Sequence, residues 1–273
     1  PIPRTIAMTA FGDLDVSTIR SKPPGRAAVH TYVARHDHME SWWQFVDKQI
    51  EAGRQAYVIT PRVASQGEAD EPASVEGVYE QLRTEQLSHR RLATLHGRMD
   101  GAEKEAALEQ LASGQTQVLV ATTVVEVGID VPNATVMTIL DADRLGLSQL
   151  HQLRGRVSRG THAGYVTAVA TKGCDTKDNQ RLKAFEKSDD GFELAEMDLK
   201  MRGPGDLLGT SQSGLPTLRI ASLVDDGELL VLAQATARRL LAEDPSLEAP
   251  DLERLRKQTI RRYGDSMELS DVG

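Results

Sequence analysis

Short apolar runs alternate with amphipathic segments over the first 170 residues of the chain. Runs rich in β-branched and other apolar residues predict strands at residues 29–33, 56–60, 91–95, 117–121, 134–140 and 165–170. Apolar residues at helical spacing predict intervening helices at residues 41–52, 75–87, 100–113 and 147–153. Repeated alternation of this kind predicts an α/β fold, a doubly wound parallel sheet with helices on both faces.

The pattern becomes mainly helical after Thr171. Helices are predicted at residues 178–187 and 192–200, and the breakers Gly203-Pro204-Gly205 then require a turn. A last helix is predicted at residues 226–243, followed by a charged tail with several arginines from Arg254 onward. This order predicts a helical hairpin and C-terminal helices after the sheet.

Composition narrows the class of protein. The 273 residues are 40% apolar and 26% charged, which is typical of a globular protein. No apolar run reaches the roughly 18 residues that a membrane span needs, and no signal-peptide pattern opens the chain. The single cysteine, Cys174, excludes an internal disulfide and indicates a reducing compartment. We expect no membrane association and a location in the cytoplasm.

The net charge of −8 conceals a basic region. Residues 144–183 contain two acidic residues, Asp175 and Asp178, and eight basic ones: Arg144, Arg154, Arg156, Arg159, Lys172, Lys177, Arg181 and Lys183. A local surplus of this kind is compatible with a polyphosphate partner even in an acidic protein.

The segment QLRGRVSRG, residues 152–160, carries the densest candidate chemistry. Arg156 and Arg159 are three residues apart, so on a helical turn both guanidinium groups would face the same way and could clamp a charged oxyanion. The alternative is a solvated basic helix end that is stabilised by the helix dipole. The spacing alone leaves both interpretations open.

A second candidate segment runs from Val120 to Pro132. The predicted buried strand leads into two hydroxyl residues, Thr122 and Thr123, and Gly128 and Asp130 follow in a turn. Ligands of open parallel sheets bind beyond the carboxyl ends of the strands, so Thr122 and Thr123 would lie near a bound phosphate or sugar, and Asp130 could accept from a ribose hydroxyl. An ordinary Asp–Gly turn is the alternative.

Together the two segments, GIDVP and QLRGRVSR, resemble the fifth and sixth motifs of the second motor lobe of superfamily-two helicases. LHGRM at residues 95–99 and YVITP at residues 57–61 resemble intermediate motifs of that superfamily that contact nucleic acid. The resemblance implies a RecA-like fold for the sheet and an ATP site shared between two lobes.

Two further stretches resemble the RecG family of branch-migration helicases. Residues 1–17 resemble the end of the motif that closes the first motor lobe, and residues 192–214 resemble the translocation motif that RecG shares with the transcription-repair coupling factor. Ser158 and Ser211 stand where the family usually has glycine and arginine. The alternatives are the equivalent lobe of the coupling factor and a non-catalytic interaction module with a helicase-lobe fold.

The resemblance implies four segments. They are the end of the first lobe with a linker at residues 1–28, the second lobe at 29–172, the translocation hairpin at 173–220 and a C-terminal helical segment at 221–273. It also implies roles for ten residues. Arg159 would be the arginine finger, Arg156 and Gln152 would act beside it at the phosphates, and Gly128 and Asp130 would contact ATP. Gly97, Arg98 and Thr122 would contact DNA, and Arg202 and Gln212 would couple ATP hydrolysis to movement.

No phosphate-binding loop of the form GxxxxGK[ST] occurs in the sequence. ATP and Mg²⁺ are therefore expected to be held mainly by a first lobe outside this chain, and the chain alone is expected to be inactive. The implied function is remodelling of stalled replication forks and Holliday junctions in bacterial DNA repair and recombination. The implied partners are duplex and branched DNA, the first lobe and a junction-recognition domain of the same protein. The implied location is the nucleoid.

Two smaller expectations concern side chains beside the motifs. His96 is expected to be a hydrogen-bonded structural histidine rather than a metal ligand, because no second ligand lies at a suitable spacing. Trp42 and Trp43 are expected to divide between core and surface of one helix rather than form a base-stacking platform.

Overall fold

The computed structural model describes residues 27–62, 73–123, 131–157, 160–174, 176, 179–202 and 227–267. The described residues up to Asp198 form one compact unit, and those from Leu199 onward belong to a second.

The first unit is built on a six-stranded parallel sheet. Its strands are β1 (Val29–Ala34), β2 (Gln55–Ile59), β3 (Leu92–Leu95), β4 (Val118–Ala121), β5 (Ala134–Ile139) and β6 (Gly164–Val169). They lie in the order β1-β6-β5-β2-β4-β3. The predicted strands and the doubly wound parallel sheet are confirmed.

Helices connect the strands and continue past the sheet. They are α1 (Met39–Glu51), α2 (Val75–Thr84), α3 (Gly101–Ala112), α4 (Leu147–Arg154), α5 (Gln180–Lys187), α6 (Gly191–Arg202), α7 (Gly227–Glu243) and α8 (Glu253–Met267). Each predicted helix is present, with small shifts at its ends. Helix α6 lies in the first unit up to Asp198, and α7 and α8 belong to the second.

The C-terminal helices expected after the sheet are confirmed, and most of the charged tail that begins at Arg254 forms α8. Arginine, lysine, leucine and glutamate all have high helix propensity, so a polar composition does not prevent a helix here. The ion pair between Lys257 Nζ and Glu253 Oε1, 2.6 Å long and four residues apart, adds stabilisation of the usual helical kind.

The sheet is buried on both faces. Alternate residues of β2 enter two different apolar clusters, with Tyr57 and Ile59 in one and Ala56 and Val58 in the other. Helices α1 and α2 cover one face through side chains such as Trp43, Val46, Ile50, Val78 and Leu82. Helices α3, α4 and α5 cover the other through side chains such as Leu111, Leu150, Leu153, Leu182 and Phe185. This burial explains the nearly unbroken apolar runs of the central strands.

Local sequence signals position the helices. Asp100 and Glu103 form both hydrogen bonds of a capping box at the start of α3, 2.8 Å and 2.9 Å long. Trp43 of α1 is buried in the core, whereas Trp42 is only partly buried and donates from Nε1 to Thr138 Oγ1 at 2.8 Å.

A surface ion cluster joins α1 to the segment before β3. Asp47 Oδ1 accepts from Arg90 Nε at 2.7 Å and lies 3.1 Å from His89 Nε2. The hydrogen bond from Arg90 is the main reason why the pKa of Asp47 lies below its ordinary value, and the charge of His89 acts in the same direction.

We expect Asp47→Asn to lower the free energy of unfolding by about 0.5–1 kcal/mol at neutral pH. A carboxyl with a lowered folded pKa stabilises the fold above its unfolded pKa, and this contribution disappears as the pH falls through the folded pKa. Urea unfolding of the native chain and of the variant should therefore give free energies of unfolding whose difference shrinks from about pH 7 to about pH 3. Glu105→Gln on α3 is the control, because it removes an exposed carboxylate. If Asp47→Asn lowered the free energy of unfolding equally at both pH values, this account would be contradicted.

Candidate nucleotide and nucleic-acid site

Because all six strands are parallel, their carboxyl ends lie along one edge of the sheet. Thr122 follows β4 directly, and Gly97 and Arg98 lie in the turn that follows the neighbouring β3. The Thr122 backbone N–H donates to Leu95 O at 3.1 Å. The structure thus brings all three predicted DNA-contact residues to the ends of two adjacent strands, with Gly97 and Arg98 exposed and Thr122 buried.

The turn that carries Gly97 and Arg98 is held from several sides. Lys104 Nζ donates to Gly97 O at 3.2 Å, and the His96 backbone N–H donates to Met99 Sδ at 3.4 Å. Met99 N returns a hydrogen bond to His96 O at 3.3 Å. These contacts fix the backbone while the Arg98 side chain stays exposed, as a contact to a phosphate requires.

A buried carboxylate lies at the end of β5. Asp141 has a positive φ of 48°, a region that Asp tolerates better than most residues. Its side chain is 4% exposed, Oδ2 accepts from Ala73 N at 2.6 Å, and Oδ1 lies 3.9 Å from His36 Nε2. Sequence reasoning missed this residue, although an aspartate directly after a buried strand was a usable signal.

Arg156 lies just past the end of α4, in agreement with the helix predicted at residues 147–153. Helix α4 ends at Arg154 with Gly155 as its C-cap, and Arg156 N donates to Leu153 O at 2.9 Å in a tighter turn. The alignment of Arg156 with Arg159 on one helical turn stays a prediction, because Arg159 lies outside the described residues. Arg156 is partly buried, and Gln152 is exposed on α4.

Four predicted residues lie outside the described residues: Gly128, Asp130, Arg159 and Gln212. The residues that flank the two main motifs nevertheless adjoin each other. A Cβ atom on Gly160 would lie 3.2 Å from the Pro132 carbonyl oxygen. This close approach brings the end of the arginine-rich segment against the end of the GIDVP segment, as a shared nucleotide site requires.

Arg154 turns inward rather than joining a surface clamp. It is 5% exposed, and its Nη1 donates to the carbonyls of Phe185 at 2.9 Å and Ser188 at 2.8 Å. Nη2 lies 3.0 Å from His151 Nδ1, and the guanidinium carbon lies 4.7 Å from the centre of the Phe185 ring. Burial lowers the pKa of Arg154 to about 10, so the group remains a cation at neutral pH.

Sequence reasoning also missed this role of Arg154. The residue continues the apolar stripe of α4, four residues after Leu150 and seven after Leu147, and that spacing was the available signal. A guanidinium on the buried face of a helix needs hydrogen-bond acceptors inside the protein. The α5–α6 junction supplies them.

Helix α6 starts in contact with α4. A Cβ atom on Gly191, the first residue of α6, would lie 2.7 Å from His151 Nε2, so only glycine fits without displacing the imidazole ring. Arg202 is the last residue of α6, and its side chain lies outside the described atoms.

His96 is not fully hydrogen-bonded. Its Nδ1 is buried and has no hydrogen-bond partner among the residues that the structure describes, so the expectation of a fully hydrogen-bonded histidine is wrong.

Among the described residues, no group of three or more His, Cys, Asp or Glu side chains could hold a metal ion. None of the described helices is long and apolar enough to cross a membrane.

Comparison with known families identifies the family of the chain. The helicase conserved C-terminal domain matches residues 38–161, and the C-terminal part of domain 3 of the ATP-dependent DNA helicase RecG matches residues 188–265. The ATP-dependent DNA helicase RecG of Synechocystis sp. is 49% identical over 96% of this chain, and that of Bacillus subtilis is 41% identical over 96%. The chain belongs to the RecG family.

Within the RecG family the chain corresponds to the C-terminal helicase region. It spans 31% of the Synechocystis relative and 38% of the Bacillus relative, about a third of their length. A solved structure described as RecG bound to a three-way DNA junction superposes with a TM-score of 0.65 at 39% identity. That match covers 84% of this chain and 29% of the RecG chain.

Proposed function

We propose that this chain is the second motor lobe and coupling segment of a RecG-type translocase. The whole protein would use ATP hydrolysis to move along duplex DNA and remodel stalled replication forks and Holliday junctions in the bacterial cytoplasm, at the nucleoid. The observation that carries the proposal is the single carboxyl edge that presents Gly97, Arg98 and Thr122. The approach of Gly160 to Pro132, which brings the ends of the two nucleotide motifs together, supports it.

In this proposal the nucleotide side of the site works by charge placement. Arg159 meets the γ-phosphate in the transition state, Arg156 contacts the phosphates beside it, and Gln152 positions the reacting groups. Positive charge that meets developing negative charge in a site that excludes water accelerates phosphoryl transfer. Gly128 and Asp130 contact phosphate and ribose from the opposite motif.

Mg²⁺ and most ATP contacts are assigned to the first motor lobe. The sequence has no GxxxxGK[ST] loop. The described residues also provide no cluster of carboxylate and imidazole groups suited to a metal ion. We therefore expect the chain alone to be inactive in ATP hydrolysis.

On the DNA side, Gly97, Arg98 and Thr122 would contact one strand through its phosphates. Contacts of this kind position a motor on the duplex without reading base sequence. The Lys104 ammonium, 3.2 Å from Gly97 O, holds the contact turn in place. Binding should weaken steeply with salt, since each neutralised phosphate releases counterions.

Coupling is the third part of the proposal. Arg154, at the end of the helix that precedes Arg156 and Arg159, bonds to the carbonyls of Phe185 and Ser188 just before α6. Gly191 then packs on His151 of the same helix. A packed network of this kind can transmit a rearrangement of the arginine segment to the segment that contains Arg202 and Gln212.

Two alternative functions can be distinguished from this proposal. The equivalent lobe of the transcription-repair coupling factor is disfavoured by the RecG domain 3 match over residues 188–265. A non-catalytic interaction module would keep the fold but not support ATP turnover. Mixing the chain with a separately produced first lobe should restore DNA-dependent ATP hydrolysis only if the chain is a motor lobe.

The coupling role is tested by Arg202→Ala in the whole protein. We expect DNA-stimulated ATP hydrolysis to stay within about threefold of native, while fork unwinding falls by about tenfold or more, because the motor turns over without moving the duplex. Arg239→Ala, an exposed arginine on α7, is the control and should leave both rates unchanged. Normal fork unwinding by Arg202→Ala would overturn the coupling assignment.

A further inference from the structure

The sheet ends in an open strand at β3. Within the described residues β3 pairs only with β4. The carbonyls of Arg91 and Leu95 accept from Val118 N at 3.2 Å and Thr122 N at 3.1 Å, so the odd-numbered residues of this strand face β4. Because backbone direction alternates along a strand, Leu92 and Thr94 direct their N–H and C=O groups away from the sheet. Open edges of this kind can pair with another strand.

A groove follows this open edge between α2 and α3. Its volume is about 570 Å³, and it is lined by apolar and polar side chains that include Tyr79, Thr94 and Met99. This volume is in the range of ordinary binding clefts. The groove is therefore large enough to receive a short extended segment beside β3.

The groove carries negative charge. Glu76, Glu80 and Glu103 line it, and none of the described residues that line it is Lys or Arg. Glu80 also pairs with Arg83 at 2.8 Å, which offsets part of its charge, whereas Glu76 and Glu103 form no ion pair among the described residues. Three carboxylates repel the phosphates of DNA and favour a partner with basic side chains.

His96 supplies a further observation. It lines the groove, and its buried Nδ1 has no hydrogen-bond partner among the described residues. Buried polar atoms in folded proteins almost always have a partner, so this nitrogen needs a hydrogen-bonding group, such as an ordered water or a groove occupant that shifts the ring, which the described residues do not supply.

We propose that this groove binds an extended basic segment of a partner protein, which adds as a seventh strand to β3. Main-chain hydrogen bonds to Leu92 and Thr94 would provide affinity, and the carboxylates of Glu76, Glu80 and Glu103 would select basic side chains. The site lies beside the turn of Gly97 and Arg98, so an occupant would be held next to the proposed DNA contact. The inference does not depend on the ATP chemistry of the proposed motor.

The test uses the chain and a synthetic peptide of alternating lysine and valine with blocked ends. Amide hydrogen exchange should slow at Leu92 and Thr94 when the peptide binds, and the affinity should fall as salt rises. A peptide with glutamate in place of lysine should bind about tenfold more weakly or not at all. Absence of protection at both amides overturns the proposal.

Two variants separate strand addition from simple charge attraction. Thr94→Pro removes an outward N–H without touching the bonds to β4, and should weaken peptide binding about tenfold, whereas Thr94→Val should bind as the native chain does. Glu76→Lys should weaken binding of the lysine peptide and, because it puts a cation in the first turn of α2, lower thermal stability only slightly. If Thr94→Pro fails to fold, the Glu76→Lys result and the amide protection decide alone. Protection of the same amides by duplex DNA, or by a second copy of the chain, would overturn the assignment to a basic protein segment.

Discussion

Arg159→Ala in the whole protein should reduce DNA-stimulated ATP turnover by roughly 10³ to 10⁵-fold, the range seen when an arginine finger is removed. The reason is electrostatic: a guanidinium that meets the γ-phosphate stabilises the charge that develops in the transition state and needs no reorganisation there. Junction binding should stay close to native, because the proposed DNA contacts of Gly97, Arg98 and Thr122 are on other turns. Single-turnover ATP hydrolysis and junction titration measure the two quantities separately.

Arg159→Lys tests the geometry of that contact. Lysine keeps the charge but loses the planar fork that donates two parallel hydrogen bonds, so the variant should recover only a small part of the lost rate. Arg239→Ala, on the exposed face of α7, controls for the loss of a positive charge elsewhere. An Arg159→Ala protein with near-native ATP turnover would refute the assignment of the finger.

Arg154→Ala should have the largest effect on stability, a loss of about 3–5 kcal/mol in the free energy of unfolding. The substitution leaves the carbonyls of Phe185 and Ser188 without their donor at a buried position and opens a cavity beside the Phe185 ring. Urea unfolding of the chain measures the loss.

Arg154→Met separates packing from hydrogen bonding. Methionine fills much of the volume left by the guanidinium stem but donates nothing, so its loss should be clearly smaller than that of alanine yet remain above about 1 kcal/mol. Arg239→Ala should change stability by less than about 0.5 kcal/mol, as exposed substitutions do. If Arg154→Ala were as mild as this control, the network around Arg154 would not stabilise the fold.

Arg154 also shows a limit of prediction from the sequence. Three arginines in nine residues suggested one basic region, yet the Arg154 side chain is buried. The direction of a long polar side chain depends on which acceptors the rest of the fold provides. The acceptors of Arg154 come from residues 185 and 188, more than thirty positions away.

The bounds of α8 illustrate a different limit. C-terminal helices were predicted after the sheet, but the charged segment after residue 250 gave no start or end for α8, since pattern reasoning gives most weight to apolar periodicity. His96 illustrates a third limit of prediction. Its position beside a motif is visible in the sequence. The lack of a hydrogen-bond partner for its Nδ1 among the described residues depends on which residues surround it in the fold.

The sequence by itself determined the order of strands and helices, the burial of the sheet on both faces and the motif order that indicates a helicase lobe. These properties follow from local periodicity and from residues close together in the chain. Only the tertiary structure decided the strand order that places β3 at an edge of the described sheet, the inward turn of Arg154 and the close approach of Gly160 to Pro132. Each of these depends on segments distant in sequence, whose positions are set by crossover connections and packing rather than by local pattern.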